Sequence, residues 1–473
     1  MKPSLRRAGA DRLLAGLVYG LSCWGLFACT AQAPQASRPP DVAPRTSAQP
    51  SAASPPAPAS EHGKLHWFEN EAEQAFAEAR RTGKPLLADL WAPWCHTCLA
   101  MQAEVLTAQA LPRLQSDVVL LAIDTERPEN AAFLQEFPVG VWPTFYVLDP
   151  TTRQTRGRWL GAASAAQLSQ FLSDSASPPA SPPLISLREA DVLSAKKDFV
   201  GAAAKYRAAL AAAPGDWPRR GDVLVSLISA LAKSGDDAGC LELALHEGRS
   251  LGRTVSAGDF AATGLSCAER AAAGGASVDG VRRTLVEALT PVCELGAASL
   301  SADDRADACA SLRRVDQALG DHAGAKAAAE RGLSVIDDVT RDAPPRTQLI
   351  HDWARSEALV YLERRDEAIA RLIERERQLP DNYNPPHYLA RLYRDAKQWE
   401  PGLLAIDRAL ALAYGPRRAG LMGVKVDLLL GAGRKGDARA LLDAQLAAYR
   451  ALPPAQRQPS AEAAIEKRIG SWK

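Results

Sequence analysis

Two cysteines three positions apart, Cys95 and Cys98, are the residues of this sequence best suited to chemistry. Such a dithiol can exchange with a disulfide, although the same spacing also occurs in zinc sites. The apolar run 86–91 before the pair predicts a buried strand, and the residues after Cys98 predict a helix. Cys95 is therefore expected near helix N-terminal amides, which favour thiolate over thiol. This position predicts Cys95 as the nucleophile and Cys98 as the thiol that resolves the mixed disulfide.

Other chemistries of a cysteine pair fit the surrounding residues less well. Covalent haem attachment needs a histidine directly after the second cysteine, where Leu99 stands. A closed zinc site needs four ligands, and residues 64–173 contain no second pair of this kind and no paired histidines. We therefore expect no metal and no cofactor. Copper binding by the two cysteines, aided by His96, stays open as an alternative.

Two segments carry a family resemblance: DLWAPWCHTC from Asp89 to Cys98, and VWPT from Val141 to Thr144. The first resembles thioredoxins and, more closely, the thioredoxin-like C-terminal domain of the DsbD family. The second resembles the proline loop of that family. The resemblance covers residues 64–173 and implies an α/β thioredoxin-like fold with thiol-disulfide oxidoreductase activity.

The resemblance also implies roles for individual residues. Pro143 is expected to follow a cis peptide bond and to lie against the sulfurs, with neighbouring backbone free to pair with a substrate chain. Asp89 is expected to be a buried acid that relays the Cys98 proton, the alternative being a strand-end residue that faces water. His96, if protonated, would stabilise the Cys95 thiolate; the alternative is a solvent-facing side chain without redox effect. The other residues expected to tune the redox site are Thr97 and Trp94, the latter mainly by packing.

Helical and strand-like patterns alternate around the cysteine pair. Helices are predicted over 70–82, after Cys98, and over 129–136 and 163–173, whereas strands are predicted over 86–91, 118–123, 144–148 and 155–160. This order is typical of an α/β domain with a mixed sheet flanked by helices.

Alanine-rich amphipathic segments recur every 34 to 40 residues beyond residue 187. Such a period predicts an all-α solenoid of helix pairs, and the clearest unit resembles a tetratricopeptide repeat. In that unit a Lys197-Asp198-Phe199 corner is expected to separate two helices. Ala190 and Leu193 are expected on the first helix and Ala202, Tyr206 and Ala209 on the second, with small residues where the helices approach closely and an aromatic residue between them. An irregular helical array is the alternative.

The N-terminal residues predict export. Basic residues precede an apolar run over 13–28, which is short for a membrane span and suits a signal peptide. The run ends at Cys29 in a pattern that resembles a bacterial lipobox, although Phe27 is a bulky departure from it. Lipidation of Cys29 would anchor the protein to a membrane of the cell envelope. Cleavage after Ala33, giving a soluble protein, and an uncleaved anchor are the alternatives.

Five regions are therefore expected along the chain. They are a lipoprotein-type signal peptide (1–28), a disordered Pro/Ala/Ser linker (29–62), the thioredoxin-like domain (63–173), a second linker (174–186) and the TPR-like helical repeats (187–473).

The net charge of +1 and the absence of a basic stripe argue against nucleic-acid binding. The four cysteines of the repeats, namely Cys240, Cys267, Cys293 and Cys309, fit two disulfides in an oxidising compartment and equally fit buried thiols.

These features together predict a periplasmic thiol-disulfide oxidoreductase, most simply a protein-disulfide reductase, whose repeats bind protein partners. Its expected partners are client proteins with disulfides or thiols and a separate membrane electron donor. The alternative is a scaffold or assembly lipoprotein in which the thioredoxin-like fold is only another binding surface. The intact Cys95/Cys98 pair favours the first interpretation, because a purely structural domain has no need of both cysteines.

Overall fold

The computed structural model describes residues 65–294 and 300–472. The predicted signal peptide, the first linker and Cys29 lie outside the described residues. In the described part of the chain, no helix is both long and apolar enough to cross a membrane.

The first part of the described chain is an α/β domain with a five-stranded mixed sheet. Its strands are β1 (Trp67–Glu69), β2 (Leu86–Trp91), β3 (Val119–Asp124), β4 (Thr144–Leu148) and β5 (Thr155–Leu160). Its helices are α1 (Ala72–Thr82), α2 (His96–Ala100), α3 (Leu114–Asp117), α4 (Ala131–Glu136) and α5 (Ala165–Ala176). The strand order is β1-β3-β2-β4-β5, in which β2 pairs in parallel with β3 and antiparallel with β4. The predicted mixed sheet is confirmed, and β1 is an additional strand.

Apolar side chains on both faces explain why β2 and β3 are central strands. Every residue of both strands is buried, as expected of strands with helices on each side. One face packs against α1, whose Phe76 is fully buried, and the other packs around Trp159 and Phe171. Because β2 is central, the loop after it opens at the carboxyl edge of the sheet, where ligand sites of α/β folds commonly lie.

The remainder of the described chain is helical and forms a stack of helix pairs. Its fifteen α-helices are α6 (Pro182–Ala195), α7 (Phe199–Ala212), α8 (Arg220–Ser234), α9 (Asp237–Glu247), α10 (Val255–Ala273), α11 (Asp279–Cys293), α12 (Ala302–Leu319), α13 (His322–Thr340), α14 (Pro345–Tyr361), α15 (Arg365–Gln378), α16 (Asn384–Asp395), α17 (Trp399–Leu412), α18 (Gly415–Gly431), α19 (Lys435–Arg450) and α20 (Pro459–Gly470). Helices neighbouring in sequence pack together, and even-numbered helices also contact one another from α8 to α18. This second set of contacts makes the stack a solenoid.

The repeat unit singled out in the sequence is a helix pair, α6 and α7. Ala190, Ala202, Tyr206 and Ala209 are fully buried between the helices, whereas Leu193 is partly buried. The predicted linker over 174–186 consists of the end of α5, a short connection and the start of α6.

Two disulfides join helices of the solenoid. Cys240 of α9 is bonded to Cys267 of α10, and Cys293 at the end of α11 is bonded to Cys309 of α12. Of the two possibilities left open by the sequence, the structure therefore has the disulfides.

The even-numbered helices of the solenoid face the α/β domain. Helices α6 and α8 contact β5, and α12 and α14 contact α2. Farther along, the Asn384 side chain of α16 donates to the Pro93 carbonyl at 2.8 Å. The Gln456 amide, between α19 and α20, donates to the carbonyls of Thr125 at 2.8 Å and Arg127 at 2.9 Å. The concave face of the solenoid therefore holds the domain that carries the cysteine pair.

Candidate functional site

The cysteine pair forms a disulfide at the start of α2. Cys95 is the N-cap residue of this helix, and its sulfur accepts a hydrogen bond from the Cys98 backbone N–H at 3.0 Å. Helix α2 continues into a π-helix over Met101–Val105. An N–H donor aimed at the sulfur would stabilise a thiolate there after reduction of the disulfide. This geometry agrees with the predicted assignment of Cys95 as nucleophile.

Both cysteines of the pair are buried. Cys95 is 4% exposed and Cys98 is fully buried, within an apolar cluster to which Trp94 and Trp142 also contribute. The cover includes α12 and α14 of the solenoid, which contact α2. The helix that carries the two cysteines is therefore in contact with helices far along the chain.

The proline loop lies beside the cysteine pair. The Trp142–Pro143 peptide bond is cis, as the resemblance implied, and the rings of Trp142 and Trp94 lie 5.1 Å apart. The Pro143 carbonyl accepts a hydrogen bond from Gly161 N–H at 2.9 Å, so this acceptor is already used within the domain. The Trp142 indole donates to the hydroxyl of Thr125 at 2.9 Å, which fixes the loop against the carboxyl end of the sheet.

Trp94 joins the redox site to the solenoid. Its indole N–H donates to Glu126 at 2.8 Å, and the guanidinium of Arg417 lies 5.3 Å from the Trp94 ring centre. The other carboxylate oxygen of Glu126 accepts from the Arg417 backbone N–H at 2.5 Å. Burial raises the pKa of Glu126 to about 7, against the lowering effect of these two donors. The predicted packing residue is thus also an interdomain contact.

His96, between the two cysteines, is held by two acids of the solenoid. Its Nδ1 lies 3.0 Å from an oxygen of Asp303, and its Nε2 lies 3.7 Å from Asp307. Burial opposes the charged imidazolium, but the charges of Asp307 and Asp303 outweigh it and raise the pKa of His96 to about 10. The imidazole is 34% exposed and its neighbour Thr97 has its hydroxyl 3.4 Å from Nδ1. His96 is therefore a cation within an ion-pair network.

The surroundings of His96 contain more acids than one imidazolium can balance. Burial, reinforced by neighbouring aspartates, raises the pKa of Glu104 to about 7 and that of Asp259 to about 8. The same two effects raise the pKa of Asp304 to about 6. Acids whose ionisation is disfavoured therefore cluster where α10 and α12 approach the α/β domain.

His96, Asp303 and Asp307 are also the described residues that could hold a metal ion. Each offers one ligand atom, and these atoms lie within 4.8 Å of one another. The imidazolium pairs closely with Asp303 and holds its pKa below the usual range, whereas burial raises the pKa of Asp307 to about 7, so an ion pair with Asp303 accounts for the arrangement. Sequence reasoning missed Asp303 and Asp307. Two acids four residues apart in the first turns of α12 look the same in the sequence as acids that merely stabilise a helix N-terminus.

Asp89 is buried within β2 and does not face water. It is 1% exposed, and one of its oxygens accepts from the Gln102 side chain at 3.3 Å. The structure thus favours the buried-acid expectation over the strand-end alternative. Its predicted role as a proton relay stays a prediction.

A family model described as thioredoxin-like matches residues 67–150. The match spans β1 to β4 and includes the cysteine pair and the proline loop. No curated protein matches the chain.

Proposed function

We propose that the protein is a thiol-disulfide oxidoreductase that acts through Cys95 and Cys98. The observation that carries this proposal is the Cys95–Cys98 disulfide at the start of α2, beside the cis-proline loop of a thioredoxin-like domain. Three features expected of an exchange site coincide there: a dithiol of the right spacing, an N–H donor to the first sulfur and a neighbouring cation at His96.

Exchange would proceed in two balanced steps. In the reduced protein, the Cys95 thiolate attacks one sulfur of a substrate disulfide, forms a mixed disulfide and releases the other substrate sulfur as a thiolate. Cys98 then loses its proton, with Asp89 as the proposed relay, and attacks the Cys95 sulfur. The second substrate thiol leaves and the Cys95–Cys98 disulfide is regenerated. The two electrons gained by the substrate come from the two protein thiols.

The proposed direction in the cell is reduction of protein disulfides in the envelope. Electrons would reach Cys95 and Cys98 from a separate membrane donor. A lipid on Cys29 would keep the protein near that donor, and TPR-like repeats would bind client proteins. Labelling with a radioactive fatty acid in the native host tests the anchor, because a Cys29→Ala variant should lose the label.

Single-turnover exchange on the full chain tests the activity. The protein is reduced mildly until alkylation and mass spectrometry show free thiols at Cys95 and Cys98 alone, and then mixed with a small aromatic disulfide. We expect a Cys95→Ser variant to be inactive and a Cys98→Ser variant to accumulate a mixed disulfide. The double variant Cys240→Ser with Cys267→Ser serves as control, since it removes another disulfide and should retain exchange.

A scaffold function is the second candidate, favoured by the burial of the sulfurs under the solenoid. In that case the α/β domain would serve to organise the solenoid for assembly partners. Absence of exchange with both the small disulfide and a reducible protein would support the scaffold. Exchange that is lost in Cys95→Ser would exclude it.

A further inference from the structure

A large cavity lies between the α/β domain and the two ends of the solenoid. Its volume is about 890 Å³, in the upper part of the range of about 300–1,000 Å³ that is usual for ligand sites. Trp94 and Trp142 line it, and each directly precedes a residue of the redox site, Cys95 or Pro143. The cavity is therefore next to the exchange site but is built from different side chains.

The charges that line the cavity are mostly positive. Its acidic lining residues are Glu126 and Asp427, and its basic lining residues are Arg158, Lys197, Lys233, Arg417, Arg457 and Arg468. Asp427 is paired with Arg468 at 2.7 Å. The other five basic side chains form no ion pair with an acid of residues 65–294 or 300–472. Basic side chains therefore outnumber acidic ones in the lining of the cavity, even though Asp191 lies near Arg158 and Glu126 near Arg417.

One of these cations, Arg158, is buried, and another, Lys233, is half-buried. Arg158 is 5% exposed, and its Nε has no hydrogen-bond partner among the described residues. Lys233 has its ammonium against the backbone of Gly140 and 5.6 Å from the Phe199 ring centre. Burial, with a smaller contribution from Arg158, lowers the pKa of Lys233 to about 7. Arg158 is already stabilised by Asp191 and neighbouring tyrosines, so an anion in the cavity would mainly stabilise the charged form of Lys233.

At the opposite side, Arg417 also has an unsatisfied guanidinium nitrogen, its Nε. Two amides, Gln445 and Gln456, line the same wall, and the side-chain oxygen of each is buried without a partner. The basic side chains of the cavity lining suit a ligand that carries carboxylates.

We propose that this cavity binds acidic peptide segments that flank a cysteine, and so selects acidic substrates for the neighbouring Cys95–Cys98 site. The inference rests on the proposed function for its role in exchange, but the binding itself needs no redox step. Two sources share this chemistry: a small acidic peptide disulfide, such as oxidised glutathione, and an acidic segment of a client protein.

Calorimetry on the oxidised full chain tests binding apart from activity. The probes are an acidic nonapeptide with serine in place of cysteine, a matched peptide with Gln for Glu, and oxidised glutathione. We expect the acidic probe to bind and the Gln peptide to bind at least about tenfold more weakly. Affinity should also fall from about pH 6 to about pH 8, because over that interval Lys233 loses its positive charge and Glu126, in the same lining, gains a negative one.

A double variant, Lys233→Gln with Arg417→Gln, should lower the affinity by a further factor on the order of ten or more. The matched control is Lys326→Gln, an exposed lysine of α13 outside the cavity, which should bind like the wild type. Binding of glutathione alone would point to the small source, and binding of the nonapeptide alone to the client segment. Equal affinity for the acidic and Gln peptides, or full affinity in the folded double variant, would overturn the proposal. Exchange activity that is equal for acidic and neutral substrates would overturn the proposed selectivity while leaving the proposed function intact.

Discussion

Replacement of Asp303 by asparagine should release His96 from its most direct charge partner. The carboxylate of Asp303 lies 3.0 Å from Nδ1 of His96 and is itself buried, with only 4% of its side chain exposed. An opposite charge at this range shifts a pKa by about 1–3 units. We therefore expect the pKa of His96 to fall from about 10 in the wild type to about 8 in Asp303→Asn. In the double variant with Asp307→Asn, Asp259 still opposes the effect of burial, and the pKa should fall further, towards the ordinary value of about 6.5.

The consequence for the redox site follows from the charge on His96. In the wild type the imidazolium persists throughout the neutral range, so the potential of the Cys95/Cys98 pair should show no inflection from His96. In the double variant the ring becomes neutral above about pH 6.5, and the Cys95 thiolate then loses a neighbouring positive charge. Each unit of change in the Cys95 pKa corresponds to about 30 mV in the potential of the pair.

Two measurements check this reasoning. Nuclear magnetic resonance titration of the imidazole signals gives the pKa of His96, with assignment from a His96→Asn variant. Glutathione-buffer equilibration at several pH values gives the potential. Asp338→Asn, an exposed aspartate of α13, is the matched control and should change neither quantity. A wild-type His96 pKa near 6.5, or identical titrations of wild type and double variant, would refute the proposed ion pair.

Three further predictions concern the stability of the two-domain unit. In urea unfolding, Asp259→Asn should stabilise the protein more at about pH 8 than at about pH 5. The reason is that the pKa of Asp259 is raised to about 8 in the folded state, so the wild-type protein loses stability as the pH rises towards that value. An equal effect at both pH values would contradict this. Tyr414→Phe should lower the free energy of unfolding by about 1.5–3 kcal/mol, since its hydroxyl donates at 2.6 Å to the fully buried carboxylate of Asp124, and a smaller change would show that water replaces the bond. Joint replacement of Cys293 and Cys309 by alanine should cost about 3 kcal/mol, the chain-entropy value for a closed loop of this length, and an unchanged melting temperature would argue against the bond.

The sheet could be predicted from the sequence because its strands carry strong local signals. The apolar run over 86–91 matches β2, and the run over 118–123 matches β3 to within one residue. Strand β1 has only three residues, too few for a periodic pattern, and depends on its pairing with β3. The helix pair around Tyr206 was likewise visible, since small residues at helical spacing mark close helix contacts.

The cysteine pair was predictable for the same reason, whereas the network around it was not. Cys95 and Cys98 lie on one helix and follow one strand, so local sequence defines their geometry. Asp303 is 207 positions from His96, and no periodicity of α12 distinguishes an acid that binds the redox site from one that favours a helix N-terminus. Only the curvature of the solenoid brings the two residues together.

The repeats were expected to bind partners, which stays a prediction, and the face formed by their even-numbered helices contacts the α/β domain of their own chain. A substrate disulfide must touch the Cys95 sulfur, which is 4% exposed, so exchange with a protein requires the residues that cover it to move. The contact between α2 and α12 is where we expect this movement. Near that contact there are more buried acids than the single positive charge of His96 can balance, and repulsion between the ionised acids opposes closure of the contact. At the other side of the domain, hydrogen bonds hold the contact together: the Tyr414 hydroxyl donates to the Asp124 carboxylate, and the Gln456 amide donates to the Thr125 carbonyl. We therefore expect opening to begin at α10 and α12, and to become easier as pH rises and Glu104 and Asp259 lose their protons.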